Sequence, residues 1–414
     1  MSCKPTIERA VAHEAGSSSQ PMDLSILMPC LNEAETVATC VRKARLGLER
    51  AGGRGEVLIA DNGSTDGSVA IAEKAGARVV AVKEKGYGSA LRGGVEAARG
   101  KWVIMGDADD SYDFSQIEAF LEKFREGYDL VMGCRLPSGG GTIAPGAMPW
   151  KNRWIGNPSL SFIGRLLFKC PARDFHCGLR GFTREAYDKM ELITTGMEFA
   201  SEMVIKATLK SLRITEVPIT LHPDGRSRPP HLKPWRDGWR HLRFMLIYSP
   251  RWLFLMPGLG LAILGLVSGA ALAVRPLQVG GIAFDTGTLA VASLFVIIGE
   301  QLVAFALFTK VFAISEGLLP QDAKFLNIFR YFSLEKGIVL GLLLLLLGLG
   351  LLGHAFWIWK EARFGNLPFG ENLRRLIPAV TLIALGIQTI FSSFFLSILG
   401  LRTASRHPPG NVKT

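Results

Sequence analysis

Paired cysteines with the spacing of a redox centre or a metal site are missing from this chain of 414 residues. No two of its cysteines form a Cys-x-x-Cys pair, and none has zinc-ligand spacing: Cys3, Cys30, Cys40, Cys134, Cys170 and Cys177. We therefore interpret them as reduced thiols that face the cytosol, not as a disulfide framework. The polar leader 1–21 also lacks the apolar core of a signal peptide, so we expect the domain after it to stay in the cytoplasm.

Acidic residues are too few to balance the basic ones, and the formal net charge is +11 at pH 7. Such an excess suits nucleic acid, a membrane surface or anionic substrates as partners. The mean hydropathy is +0.25, and the apolar residues are concentrated in the C-terminal half. This pattern favours a membrane over nucleic acid, and the length allows more than one domain.

Strand and helix patterns alternate through the first part of the chain. We predict short apolar strands at residues 24–29, 57–60, 77–82 and 101–105. A helix is predicted after the first strand, with Asn32 as its N-cap and its end near residue 51, and a second one over about 68–75. This spacing is typical of βαβ units and indicates an α/β fold with a doubly wound parallel sheet.

The loops after these strands should meet at one edge of the sheet, where ligands bind in such folds. We expect the loops at Pro29, Asp61, Gly86 and Asp107 to form one cleft. The turn from Gly86 to Gly88 would let the backbone approach a phosphate closely, and the helix after it favours anions. Asp61 and Asp66 would either bind ribose or base donors or serve as turn and cap residues.

Asp107 and Asp109 follow the fourth predicted strand and should leave it on the same side, because side chains alternate along extended backbone. Carboxylates that crowd together repel one another unless a cation lies between them. Hard oxygen ligands suit Mg²⁺ or Mn²⁺ held jointly with a substrate diphosphate. The alternative is a solvated acidic turn that caps a helix starting near Phe114.

Membrane features begin at Pro234. Tryptophans recur at helical spacing with arginines on a neighbouring face, which is typical of a helix in the headgroup layer. Four apolar runs long enough to span a bilayer follow, at about 252–274, 288–310, 337–359 and 377–400. The distribution of Lys and Arg predicts that both termini are cytoplasmic. Glu300, within the second run, would serve helix contact or lipid or sugar passage.

Several motifs, taken together, resemble those of family 2 glycosyltransferases with the GT-A fold. The first group is Pro29-Cys30-Leu31-Asn32-Glu33, Asp61-Asn62-Gly63-Ser64-Thr65-Asp66-Gly67 and Asp107-Ala108-Asp109. The second group resembles dolichyl-phosphate mannose synthases and bacterial polyprenyl-phosphate glucosyltransferases: Val131-Met132-Gly133-Cys134-Arg135, Asp174-Phe175-His176-Cys177-Gly178-Leu179-Arg180 and Gly196-Met197-Glu198-Phe199-Ala200-Ser201-Glu202. The resemblance covers residues 22 to about 250.

The resemblance implies a nucleotide-sugar site and a metal site. Donor-binding residues would be Pro29, Asn32, Glu33, Asp61, Gly86, Gly88 and Asp107. Asp107 and Asp109 would be metal ligands, with Asp109 the main one. The chain departs from the family pattern at Asn62, where many relatives have aspartate, and at Ser111, where mannose synthases often have a metal-contacting glutamine.

The acceptor in such enzymes is a lipid monophosphate, which arginine side chains can neutralise and orient. Our candidates are Arg135, Arg153 and Arg180. Asp174 would hold either sugar hydroxyls or an arginine. Glu198 and Glu202, four residues apart, would share one helix face in either a structural or a supporting role.

These features predict an inverting enzyme of the plasma membrane. It would move one hexose, from UDP-glucose or GDP-mannose, to undecaprenyl or dolichyl phosphate at the cytoplasmic face. Two alternatives are a processive polysaccharide synthase, which should carry Gln-x-x-Arg-Trp near the membrane, and a scaffold with an inactive transferase domain. Here Tyr248-Ser249-Pro250 precedes Arg251-Trp252, without the glutamine. The sequence leaves a homo-oligomer open.

The predicted organisation has five parts. They are a leader (1–21), a cytoplasmic GT-A domain (22–233), an amphipathic juxtamembrane helix (234–250), a four-helix transmembrane region (251–400) and a cytoplasmic tail (401–414). Because all the predicted nucleotide and metal loops precede Gly225, a cut there should leave nucleotide binding intact.

Overall fold

The computed structural model of the chain describes residues 22–52, 54–228, 234–315, 319 and 334–406. The predicted leader and most of the predicted tail therefore lie outside the described residues. The chain divides into two compact units. The first comprises Met1–Asn157, Ala172–Ala200 and Leu212–His231, and the second comprises Pro158–Pro171, Ser201–Ser211 and Leu232–Thr414. The predicted domain boundaries stay predictions.

Strands and helices alternate from residue 24 to residue 221. The strands are β1 Leu24–Cys30, β2 Gly55–Asp61, β3 Arg78–Ala81, β4 Trp102–Met105, β5 Leu130–Cys134, β6 Thr142–Ile143, β7 Arg180–Thr183, β8 Ile214–Pro218 and β9 Thr220–Leu221. The helices are α1 Val37–Arg50, α2 Ser68–Lys74, α3 Tyr87–Ala97, α4 Glu118–Arg125, α5 Asn157–Phe168, α6 Arg184–Met190 and α7 Phe199–Leu209. The four strands predicted first agree with β1 to β4 to within two residues at each end.

A seven-stranded sheet with the order β3-β2-β1-β4-β7-β5-β8 organises the first unit. β1 pairs in parallel with β2 and β4, and β2 pairs in parallel with β3. β7 lies antiparallel between β4 and β5, so the sheet is mixed. The α/β fold class is confirmed, and the βαβ pattern applies to the first four strands.

The apolar strands are buried because helices cover them. Ile26, Ile104 and Val131 are fully buried, as are Phe114 and Phe120 in and before α4. Burying side chains of this size contributes about 1.5–3 kcal/mol each, so these aliphatic and aromatic side chains dominate the stability of the unit. The polar residues at the ends of the strands are thereby held on a rigid frame.

Two helices begin later than the sequence suggests. α1 begins at Val37 with Thr36 as its N-cap, and Asn32 lies in the left-handed region with φ 60°. The predicted capping role of Asn32 is therefore wrong, because its side chain bonds to another loop. α4 begins at Glu118, and Phe114 before it packs into the core.

Long helices make up most of the second unit. Its later elements are α8 Pro234–Ile247, α9 Met256–Val274, β10 Leu277–Val279, β11 Ile282–Phe284, α10 Thr286–Ser315, α11 Leu334–Glu361 and α12 Phe369–Arg406. In the described part, four stretches are long and apolar enough to cross a membrane: Arg251–Val274, Thr286–Ser315, Leu334–Glu361 and Phe369–Leu399. These confirm the four predicted runs.

The helix α8 is amphipathic, as predicted. Its Met245 is buried, whereas Trp235 and Trp239 are 90% and 59% exposed. Glu300 lies in α10, and its Oε2 is buried without a hydrogen-bond partner among the described residues. The role of Glu300 stays a prediction.

Glycines let the helices of this bundle approach closely, because small residues at a helix interface allow the two backbones to come near each other, as is common in membrane helices. A Cβ added at Gly265 of α9 would lie 2.5 Å from the Ala292 carbonyl oxygen of α10. One added at Gly341 of α11 would lie 2.6 Å from Cγ1 of Ile390 and 2.8 Å from the Gly386 carbonyl oxygen. The α11–α12 contact therefore depends on the missing side chain at Gly341.

We expect Gly341→Ala to weaken the α11–α12 contact, because a packed backbone cannot move away from the added methyl group. Overpacking of this kind typically costs about 1–3 kcal/mol. The matched control is Gly350→Ala on the same helix, where an added Cβ meets no other part of the described chain within 4 Å. Thermal unfolding in detergent should show a lower midpoint for Gly341→Ala alone; equal midpoints would contradict the close contact.

Candidate active site

The loops at the carboxyl ends of the first strands are joined by side-chain hydrogen bonds. The Asn32 backbone N donates to Ser64 Oγ (2.9 Å), and Asn32 Oδ1 accepts from the Thr65 N (2.8 Å). Thr36 Oγ1 donates to the Ala108 carbonyl oxygen at 2.7 Å. The structure therefore brings the β1, β2 and β4 loops together at one edge of the sheet.

Asn62 connects the second loop to the third. Its Nδ2 donates to the carbonyl oxygens of Val82 (3.1 Å) and Glu84 (2.7 Å), and its Oδ1 accepts from the Gly86 N (2.8 Å). An aspartate here would lack the two N–H donors that these carbonyl groups need. The departure from the family pattern at Asn62 therefore has a structural reason.

The two aspartates of the second loop both stabilise turns. Asp61 is buried and accepts from the backbone N atoms of Gly63 (2.9 Å) and Ser64 (3.2 Å). Asp66 accepts from the backbone N atoms of Ser68 and Ala34, both at 3.0 Å. Of the two alternatives for these residues, the contacts fit the turn and cap role; donor binding by Asp61 stays a prediction.

The glycines of the third loop admit protein backbone. Gly86 has φ 130°, which favours glycine, and a Cβ there would lie 2.2 Å from the Thr195 carbonyl oxygen. A Cβ at Gly88 would lie 2.5 Å from the Thr194 carbonyl oxygen. Both glycines are therefore required for packing against residues 194–195, whether or not a phosphate also approaches them.

Asp107 and Asp109 interact electrostatically, as expected. Burial and then the charge of Asp109 raise the pKa of the Asp107 carboxyl above its ordinary value. The Tyr87 hydroxyl donates to Asp107 Oδ1 at 3.0 Å, and burial together with the Asp107 charge raises the pKa of that tyrosine. Burial, and then the neighbouring charge, thus oppose ionisation of both groups.

Asp109 is held on both of its oxygens. Oδ1 accepts from the Ser111 N (3.1 Å) and Oγ (2.6 Å), so Ser111 orients the carboxylate. Oδ2 forms an ion pair with Nη2 of Arg226 at 2.8 Å. A cation therefore already lies against the predicted main metal ligand, and it belongs to the chain itself.

Arg226 lies in a short segment, residues 222–228, that the motif reasoning missed. The backbone N atoms of His222 and Gly225 donate to the carbonyl oxygens of Ser111 and Asp109, both at 2.9 Å. We call this stretch the 222–228 segment. Its only sequence signal is a pair of arginines shortly after β9, which by itself resembles any basic loop.

Glu33 is the second carboxylate that this segment engages. Its Oε1 lies 3.1 Å from Nη1 of Arg226 and 2.9 Å from Nη2 of Arg228. Burial raises the pKa of Glu33, and the two arginines oppose that rise. Ser227 adds bonds to Glu35, from its N at 2.7 Å and from its Oγ at 2.6 Å.

The predicted arginines are already engaged by protein groups. Arg135 is buried and forms a two-point contact with Asp174, Nε to Oδ2 at 2.7 Å and Nη2 to Oδ1 at 2.8 Å. Of the two roles weighed for Asp174, holding an arginine is therefore the one observed. Arg180 is fully buried and donates to the carbonyl oxygens of Cys177 (3.0 Å) and Ala200 (2.7 Å).

Three further candidates, Arg153, Glu198 and Glu202, lie outside this group of contacts. Arg153 is half-buried beside the Trp154 ring, with its guanidinium carbon 5.4 Å from the ring centroid. Glu198 precedes α7, so the prediction that Glu198 and Glu202 share a helix face is wrong. Glu202 is buried and pairs with Lys206 at 2.8 Å. The contacts of Glu202 therefore fit the structural role of the two that we considered.

The donor set fits a divalent cation only in part. Among the described residues, no group of three His, Cys, Asp or Glu side chains is arranged to hold a metal ion. Asp107 and Asp109 nevertheless offer hard oxygen donors, and the Arg226 guanidinium shows that Asp109 accepts a cation. Two carboxylates suit a Mg²⁺ or Mn²⁺ ion whose other ligands are water and a substrate diphosphate.

We expect Asp174→Ala to destabilise the protein strongly, because the change leaves the Arg135 charge buried without its carboxylate. Removing one partner of a buried ion pair costs about 3–5 kcal/mol. The control is Glu185→Ala, which breaks the exposed pair between Lys189 and Glu185. Thermal unfolding should show a large drop for Asp174→Ala and none for the control; an unchanged midpoint for both would show that the buried pair is dispensable.

Comparisons with known proteins agree with these features. Residues 25–191 match the family model described as glycosyl transferase family 2, and residues 307–400 match the one described as glycosyltransferase family 2 C-terminal transmembrane region. The chain is 38% identical over 379 residues to the low-salt glycan biosynthesis hexosyltransferase Agl6 of Haloferax volcanii. That alignment covers 91% of this chain and 89% of the relative.

Two further similarities are shorter. A dolichyl-phosphate hexose transferase of Haloferax volcanii is 32% identical over 198 residues, covering 48% of this chain and 82% of that protein. Glucosyl-3-phosphoglycerate synthase of Mycobacterium tuberculosis, solved with Mn²⁺, UDP and glucosyl-3-phosphoglycerate, is 22% identical. It covers 55% of this chain and 78% of that one, with a TM-score of 0.41.

Proposed function

The chain belongs to the family 2 glycosyltransferases and is membrane-associated, and on that premise we propose that it transfers one hexose from a nucleotide diphosphate sugar to polyprenyl phosphate. The observation that carries the proposal is the pair Asp107 and Asp109 at the end of β4, with the Arg226 guanidinium held on Asp109. The four apolar helices and the similarity to a dolichyl-phosphate hexose transferase support a lipid acceptor.

The donor would lie over the loops that follow β1, β2 and β3. We propose Pro29, Asn32, Glu33, Asp61, Gly86, Gly88 and Asp107 as its binding residues. The side-chain oxygens of Asn32 and Asp61 accept hydrogen bonds from backbone N atoms of the loop after β2. We therefore propose that these two residues fix the shape of the base pocket. UDP-glucose and GDP-mannose both fit this description.

Asp107 and Asp109 would hold Mg²⁺ or Mn²⁺, which would supply charge neutralisation for the departing nucleotide diphosphate. Ser111 keeps the Asp109 carboxylate in place, and Tyr87 donates to Asp107. The lipid monophosphate needs no general base, because the second pKa of a phosphomonoester is about 6 and the dianion is already a nucleophile at pH 7. Its attack opposite the leaving diphosphate would invert the anomeric carbon.

We also propose Arg135, Asp174 and Arg180 as residues of the catalytic site. Because Asp174 occupies the guanidinium fork of Arg135 and offsets its charge, this arginine would face the acceptor phosphate as an oriented ion pair and not as a free positive charge. Arg180 is fixed in the same way by backbone carbonyl groups. Both side chains are thereby preorganised, which is what electrostatic stabilisation requires.

The helix α8 would lie in the headgroup layer of the plasma membrane. Its Trp235 and Trp239 are exposed, and Arg236 is exposed beside them. Aromatic rings and arginines on one amphipathic helix are typical of membrane interfaces. The catalytic domain and both termini would then be cytoplasmic, in accord with the Lys and Arg distribution.

Replacing Asp109 should abolish transfer, because its carboxylate is the proposed main metal ligand. We expect Asp109→Asn to lose more than about 90% of activity in a metal-replete assay, in line with the loss of metal charge stabilisation. The matched control is Asp110→Asn, whose carboxylate pairs with Lys43 at 2.7 Å and not with Arg226. Substantial activity in Asp109→Asn would contradict the metal site, as would equal losses in both variants.

The products distinguish the proposed reaction from its alternatives. Membranes are incubated with donor labelled in both sugar and nucleotide, and the released nucleotide and the lipid extract are resolved. Attack by lipid phosphate on the sugar carbon should release nucleotide diphosphate and leave one acid-labile sugar on a lipid monophosphate. Release of nucleotide monophosphate would indicate sugar-1-phosphate transfer, a growing polymer would indicate a processive synthase, and no turnover would favour a scaffold.

A further inference from the structure

We propose that Arg226 is a built-in competitor of the divalent cation for Asp109, so that the metal binds only when this arginine leaves the carboxylate. The inference rests on the proposed metal site and adds to it a residue that sets metal affinity. Arg226 is thereby a positioning residue that controls access to the metal ligand.

The geometry places the guanidinium where it excludes a metal ion. Nη2 of Arg226 lies 2.8 Å from Oδ2 of Asp109, and Oδ1 already accepts two hydrogen bonds from Ser111. A Mg²⁺ ion needs a carboxylate oxygen at about 2.0–2.1 Å, with several waters around it. A guanidinium at hydrogen-bond distance from the same oxygen occupies that space and repels the ion. The two cations are therefore alternatives.

Arg226 is also held by more than one partner, which makes the competition effective. Nη1 reaches Glu33 at 3.1 Å, and Nη2 reaches Asp224 at 3.0 Å. The side chain of Arg226 is only 10% exposed, so water screens these contacts weakly. A metal ion must displace an arginine that is bound to three carboxylates.

Arg228 provides a contrast two residues away. It pairs with Glu33 at 2.9 Å and donates to the Asn32 carbonyl oxygen at 2.6 Å. No described contact joins it to Asp109, and its side chain is 31% exposed. Removing Arg228 changes the local charge by the same amount as removing Arg226, but it leaves the guanidinium on Asp109 in place.

A consequence follows for the order of events. The diphosphate of a donor offers Arg226 a new anionic partner, because a guanidinium fork suits phosphate oxygens. When no donor is present, a metal ion that binds Asp109 must break the Arg226 contacts, and Arg226 finds no new anionic partner. We therefore expect the protein to bind Mn²⁺ weakly when the metal is alone, and Arg226 to be the cause.

The test is a Mn²⁺ titration of the full chain in detergent, without nucleotide, in which the free ion is measured by electron paramagnetic resonance. We expect Arg226→Gln to bind Mn²⁺ about tenfold more tightly than wild type, because the substitution removes the charge-assisted bond that occupies Asp109 Oδ2. Arg228→Gln should stay within about twofold of wild type, well below the effect of removing a charge-assisted bond to the ligand itself. Asp109→Asn should lose binding.

The outcomes separate this inference from the proposed function. Equal affinities for wild type and Arg226→Gln, with binding lost in Asp109→Asn, would overturn the competition and leave the metal site standing. Equal tightening by Arg226→Gln and Arg228→Gln would reduce the effect to net charge and would also overturn it. Unchanged binding in Asp109→Asn would overturn the metal site itself.

Hydrogen exchange gives a second readout that does not depend on affinity. The Gly225 amide donates to the Asp109 carbonyl oxygen, beside the carboxylate that Arg226 holds. Mn²⁺ should speed amide exchange in the 222–228 segment of wild type, and Arg226→Gln should show the faster exchange without metal.

If Arg226→Gln folds poorly, Arg226→Lys provides the alternative variant. It keeps the positive charge but cannot span Asp109 and Glu33, so it should bind Mn²⁺ with intermediate affinity. An amide exchange rate in the 222–228 segment of wild type that does not change with Mn²⁺ would contradict the displacement of Arg226 by the metal ion.

Discussion

The repulsion between Asp107 and Asp109 is the constraint around which the site is arranged. Two carboxylates that leave a buried strand together are unfavourable without hydrogen-bond donors or a cation. Their neighbours supply both: Tyr87 donates to Asp107, Ser111 donates to Asp109, and Arg226 provides positive charge. The negative charge that would attract the proposed metal ion is offset in the structure by the Arg226 guanidinium, which lies on the same carboxylate oxygen.

The first four strands could be predicted because their signals are local. Apolar runs, turn residues and helix spacing lie within a few positions of one another, and β1 to β4 formed where these patterns indicated. The convergence of their loops followed from sheet geometry. The start of α1 could not be predicted in this way, because Asn32 has a partner 33 residues away at Thr65 and not in its own helix.

The most informative contacts of the site are also the most distant in sequence. Arg226 lies 117 residues from Asp109 and 193 from Glu33, so no local pattern identifies it. Arg135 and Asp174 are 39 residues apart, and both are candidates from the sequence; an arginine contact is one of two alternatives for Asp174, but the sequence does not identify Arg135 as the partner. Sequence motifs thus marked which residues are special, whereas the pairing of charges required the fold.

The position of Arg226 and Arg228 bears on the modularity of such enzymes. Their guanidinium groups reach the carboxylates of the β1 and β4 loops from a stretch that follows the last strand pair, past Gly225. A chimera in which this transferase domain is joined to a different membrane anchor must therefore carry residues through 228. A junction at Gly225, where the recognisable motifs have ended, would give a hybrid with every signature residue but without the two cations. The 222–228 segment therefore belongs with the transferase domain in any such exchange, because its arginines contact carboxylates of that domain.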